Sequence, residues 1–182
     1  MNRIQVGQTI GRKTLVDLDS APVPVPDESR PVHLQFRRFA GCPFCSLHLR
    51  SFTRRHDEIV GANIREVAVF RSTPAALRRH HNDLPFAVVA DPGGGLYAGF
   101  GVGSAPGALL HPRVMLLALP NVLRMLPGLP GLPSSGESAL GLPADFLIAS
   151  DGRVQACKYG THADDQWSVD ELLALAHDRG AP

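Results

Sequence analysis

Arg37-Arg38-Phe39-Ala40-Gly41-Cys42-Pro43-Phe44-Cys45 decides the reading of this chain. Two cysteines at Cys-x-x-Cys spacing stand between a strand signal and a helix signal. Before them, Pro31-Val32-His33-Leu34-Gln35-Phe36 alternates apolar and polar residues, the period of a half-buried strand. After them, Phe44 to Val60 carries Phe44, Leu47, Phe52 and Ile59 among Ser, Arg, His and Glu residues, as an amphipathic helix does. A second strand signal follows at Ile64–Phe70. The order is strand, Cys-x-x-Cys, helix, strand.

In a cytosolic protein that context reads as a thioredoxin-like redox motif. Pro43 suits the first helical turn, where its missing N–H costs nothing. Cys42 then falls at the helix N-cap, facing unpaired backbone N–H groups and the positive end of the helix dipole. Thiols in such settings have pKa values of roughly 3.5–7.5, against about 8.5 for a free cysteine. Cys45, one turn on, is placed to close a disulfide with Cys42 or to resolve an adduct on it. If the strand runs through Arg37 and Arg38, alternation allows only one of them to point the same way as Cys42.

A metal site is the sharpest competing reading, since His48 completes a Cys-x-x-Cys-x-x-His spacing. Structural zinc takes four protein ligands, and only Cys157 remains, in a strand-like run. His48 reads as an exposed or partly exposed helix residue, and no metal or organic cofactor is expected.

The chain has 182 residues, 44 % hydrophobic and 19 % charged, within reach of one globular domain over 1–182. Its net charge of +1 gives no electrostatic case for nucleic acid or membrane. No secretory signal opens it, and three cysteines make no disulfide framework, so a cytoplasmic home is expected. The apolar stretch 105–132 is broken by five prolines, two arginines and a histidine, and reads as one or two short helices rather than a membrane span.

Residues 1–30 read as an extended leader, with Pro22, Pro24 and Pro26 confining it to an edge. Thr73-Pro74 starts a second helix to His81. Phe86–Ala90 is a short buried strand, and Gly93-Gly94-Gly95 is a turn, because no Gly-Lys-Ser/Thr or GxGxxG follows. Leu96–Phe100 makes one or two helical turns. Residues 103–142 form a helical insertion and a loop. Asp145–Ala149 and Val154–Tyr159 form a hairpin about Asp151-Gly152. A final helix at 168–178 carries a Ser168/Glu171 capping box. The fold class is α/β, a central mixed sheet flanked by helices.

Four stretches resemble the peroxiredoxin-like, AhpC/TSA branch of the thioredoxin-fold superfamily. They are Pro31–Phe39 entering Gly41–Cys45, Phe86–Pro92 with Leu96–Val102, Leu142–Val154, and the last helix. The resemblance implies a thiol–disulfide oxidoreductase or thiol-dependent peroxidase with Cys42 as nucleophile and Cys45 as resolving thiol. In a peroxidase the two roles could be reversed. It implies a peroxide or protein disulfide as substrate, and an external thiol reductant, thioredoxin or glutathione, as partner. The chain departs from the family where a Thr or Ser stands three positions before the peroxidatic cysteine: Phe39 precedes Cys42 so, and Cys42 precedes Cys45 so. Cys-Pro-aromatic-Cys itself is similar to the glutaredoxin site. Pro43, Phe44 and Pro143 are the expected substrate-binding residues, Pro143 as a cis-proline facing the thiols. The rival from another class is a non-catalytic redox-sensing or metal-binding interaction module. The apolar run 108–126 is expected to be helix at a homodimer or partner interface, with burial against the sheet edge as the alternative.

Overall fold

A computed structural model of the protein describes residues 2–105 and 140–180. The expected insertion and its interface helix at 108–126 lie almost wholly outside the described residues. Among the described residues there are seven strands: β1 (Lys13–Val16), β2 (Pro22–Val25), β3 (Val32–Arg37), β4 (Arg65–Phe70), β5 (Ala87–Ala90), β6 (Ala144–Ile148) and β7 (Val154–Tyr159). The helices among the same residues are α1 (Pro43–Arg54), α2 (His56–Gly61), α3 (Pro74–His80), α4 (Gly95–Gly99) and α5 (Val169–Gly180). The central sheet has the order β5-β4-β3-β6-β7. β3, β4 and β5 are parallel, and β6 is antiparallel to both of its neighbours, β3 and β7, so the sheet is mixed as expected.

The leader is more ordered than its composition suggests. β1 and β2 pair as an antiparallel hairpin, with Pro22 and Pro24 in its outer strand. Asp17 bridges to Val89, which ties the hairpin to the β5 edge. Leu15, Val23 and Val25 cover one sheet face together with Tyr97 of α4 and Val32, Leu34 and Phe36 of β3. α1, α2, α3 and α5 cover the other.

Local signals place most boundaries. Thr73 Oγ1 accepts from Ala76 N–H at 3.3 Å and starts α3. Ser168 and Glu171 exchange hydrogen bonds at 2.7 and 3.2 Å and start α5. The Asp91 carboxylate accepts from Leu96 and Tyr97 N–H at 2.8 and 3.2 Å, capping α4 after the glycine turn. Gly152 turns the hairpin at φ +88°, a conformation a side chain resists.

Three expectations are corrected. The single helix over 43–60 is two, divided at Arg55 (φ −112°), whose guanidinium holds Glu58 and Asp170. Leu47 is 49 % exposed, and the buried face of α1 is Cys45, Leu49 and Phe52. β3 is buried along both faces rather than half-buried, because helices pack over its polar side as well.

Candidate active site

β3 delivers the chain to the first turn of α1 at the sheet's centre. Cys42 is the N-cap of α1, and its sulfur accepts from Cys45 N–H at 3.5 Å. Pro43 stands in the first turn, as the spacing predicts. Arg38 Nη1 donates to Cys42 Sγ at 3.4 Å, and the Arg38 backbone N–H points at Cys45 Sγ at 3.5 Å. The Arg38 guanidinium also lies over the Phe39 ring, 5.5 Å from its centroid. Both thiols are free and 0 % exposed. They pack with Phe39, Leu49, Phe70 and Leu77, against which Phe44 is half-buried.

The two thiols are polarised in opposite directions. Burial pushes the Cys42 thiol up. The hydrogen bond from Cys45, the Arg38 charge and the backbone N–H groups of Cys45 and Phe44 outweigh it and bring Cys42 down to about 7. Cys45 is held well above its ordinary value by burial, by its hydrogen bond to Cys42 and by the negative charge there. One sulfur is a thiolate near neutral pH, and its neighbour keeps the proton.

Arg38 and Arg37 diverge, as strand alternation requires. Arg37, fully buried, turns under α1 into a polar cluster that the sequence reading did not single out. Its Nη2 donates to Asp145 Oδ1 at 2.7 Å and to His48 Nε2 at 3.0 Å, and its Nε donates to Gln35 Oε1 at 2.6 Å. His33 lies 2.7 Å from Glu66 Oε1 through Nδ1 and 3.3 Å from Asp145 Oδ1 through Nε2. Gln35 donates to Glu66 as well. Trp167 N–H completes the Asp145 carboxylate at 3.2 Å.

Burial lowers the proton affinity of His33, yet Glu66 and Asp145 raise it to about 9. Burial acts against the Asp145 carboxylate, but the Arg37 charge and His33 hold it well below the usual range. A protonated His33 and an ionised Asp145 therefore sit together in the cluster, beside Arg37 and Glu66. His48 is half-buried and neutral, since burial and then Arg37 depress its imidazolium. It is the point at which the cluster meets the helix that carries both cysteines. A sequence signal for it existed: Asp145 opens an otherwise apolar strand, and His33, Gln35 and Arg37 stand at period two.

Pro143 precedes β6 as expected, but its peptide bond is trans. The cis bond among the described residues is Val25–Pro26. Leu142 N–H donates to Gly103 O, and Pro143 O accepts from Gly160 N–H at 2.9 Å, which carries an ordinary extended backbone into β6. Cys157 is half-buried on the opposite sheet face from Cys45, its thiol 3.6 Å from Ile4 O. No cluster of His, Cys, Asp and Glu among the described residues has the form of a metal site. No helix among them is long and apolar enough to cross a membrane.

These features coincide with known proteins. The chain matches the AhpC/TSA family over residues 6–157, and it belongs to that family. It has the thioredoxin-like fold of the solved peroxiredoxins. Peroxidoxin BcpB from Mycobacterium tuberculosis superposes with a TM-score of 0.69 at 18 % identity, covering 97 % of this chain and 99 % of that one. AhpC from Mycobacterium tuberculosis gives 0.68 at 15 % identity, covering 99 % and 95 %. A Chlorobium tepidum protein described as a thiol:disulfide interchange protein, DsbE, gives 0.60 at 17 % identity, covering 95 % and 99 %. The chain has no significant match among curated proteins.

Proposed function

We propose that the protein is a two-cysteine thiol peroxidase. The Cys42 thiolate attacks the peroxide O–O bond, giving a Cys42 sulfenic acid and releasing an alcohol or water. The Cys45 thiol then displaces the sulfenic hydroxyl as water, leaving a Cys42–Cys45 disulfide. An external thiol reductant supplies the two electrons that return it to the dithiol. No cofactor takes part, and a reducing cytoplasm would supply the electrons.

One observation carries this assignment of roles: the Arg38 guanidinium and the α1 N-terminus both act on Cys42, while Cys45 beside it keeps its proton. It favours Cys42 over Cys45 as the peroxidatic residue. Complete burial of both sulfurs favours a small oxidant over a protein disulfide. Arg38, rather than a Thr or Ser three positions before the cysteine, supplies the donor on the reacting sulfur.

The Cys-Pro-Phe-Cys turn at a helix N-terminus supports disulfide exchange as a second reading. One preparation decides, tested with hydrogen peroxide, cumene hydroperoxide and an insulin-type disulfide under thioredoxin and glutathione systems. Peroxide turnover with little insulin reduction supports the peroxidase; the reverse supports the reductase.

A further inference from the structure

Beside the first turn of α1, two adjoining hollows of about 350 and 600 Å³ run between α1 and the end of α3. They share Arg50, His80, His81 and Leu84, so they form one groove. Its near end is Pro43 and Ser46, the residues next to the cysteines, and Leu84 packs against the cluster that contains both thiols. Its wall is rigid at His81, whose ring stacks on Phe70 at 4.7 Å and hydrogen-bonds Ala40 O at 2.7 Å. Burial keeps that histidine neutral, at about 4.

The groove's charge is one-sided. Arg50 and Arg54 are exposed and make no ion pair among the described residues, whereas Arg55 beside them holds two carboxylates. Asp83 is the one acid lining either hollow. A groove of this volume is too small for a protein face and suits a molecule of a few residues. Its apolar end, Pro43 and Leu47, lies by the cysteines, and its cationic part lies farther along α1.

We propose that this groove binds an anionic low-molecular-weight thiol, one carrying carboxylates, as the reductant of the Cys42–Cys45 disulfide. The proposal rests on the two-cysteine reading above and names its electron donor. Arg50 and Arg54 hold the carboxylates, and the thiol lies toward Pro43. Its thiolate attacks Cys42 Sγ, next to Pro43 at the near end of the groove. The S–S bond breaks and Cys45 leaves as a thiolate that takes up a proton. A second thiolate attacks the small-molecule sulfur of the mixed disulfide and releases Cys42. Two small thiols are oxidised to one disulfide as the protein disulfide is reduced.

The test uses full-length protein oxidised with diamide, then reduced by glutathione or by neutral 2-mercaptoethanol, with the remaining disulfide counted by alkylation and mass. We expect Arg50→Glu/Arg54→Glu to slow reduction by glutathione about tenfold at low ionic strength. Reduction by 2-mercaptoethanol should be unchanged, which also reports an intact fold. Equal slowing of both thiols, or of neither, overturns the proposal and leaves the two-cysteine reading standing. So does reduction by thioredoxin with glutathione no faster than 2-mercaptoethanol. Failure of diamide to form the Cys42–Cys45 disulfide overturns both.

Discussion

Arg38 Nη1 lies 3.4 Å from Cys42 Sγ, in a pocket where neither side chain is more than 3 % exposed. An ion pair so shielded from solvent acts strongly on the thiol's proton. Arg38→Met should raise the Cys42 pKa by about one unit and slow its alkylation at pH 7 about five-fold. In the wild type the alkylation rate should rise with pH through an inflection near 7. An unchanged profile in Arg38→Met would show that the helix N-terminus alone sets this thiolate.

Serine substitutions separate the three cysteines. Cys42→Ser should abolish peroxide turnover and the neutral-pH thiolate while leaving the fold intact. Cys45→Ser should still react once with peroxide, then stop at a sulfenic acid that dimedone traps. Cys157→Ser should keep full activity, because the sheet separates that residue from the other two. Loss of all thiolate reactivity in Cys45→Ser would reverse the assigned roles.

The buried cluster makes a pH prediction. His33 has a folded pKa of about 9, above its unfolded value near 6.5. Its stabilisation is therefore complete below the unfolded value and is lost as pH rises through about 9. The linkage amounts to roughly 3 kcal/mol. Urea unfolding between pH 6 and 10 should show that loss in the wild type. His33→Gln should be less stable at pH 6 and should lack this part of the slope. Parallel curves for the two proteins would rule out a protonated His33.

Gly160 tests the loop that closes on Pro143. A Cβ there would meet Asp165 O at 2.5 Å and Pro143 Cγ at 2.8 Å, and backbone cannot easily yield. Gly160→Ala should cost about 1–3 kcal/mol. A melting temperature equal to the wild type would show that the loop moves aside freely.

The sequence by itself determined whatever is decided within a turn or two of chain. Cys42-Pro43 as N-cap and first residue, Thr73-Pro74, the Ser168/Glu171 box and the Asp151-Gly152 turn all carry their partners within four residues. Strand periodicity likewise required Arg37 and Arg38 to diverge, which put one arginine on the thiol. The tertiary structure alone decided where the other went. Arg37 meets Asp145, 108 residues away, because β6 inserts beside β3 and pairs Gln35 with Asp145. Nothing local distinguishes a polar strand face that meets water from one that meets a buried counter-charge. α1 and the segment leading into α5 settle that by covering His33 between Phe52 and Trp167.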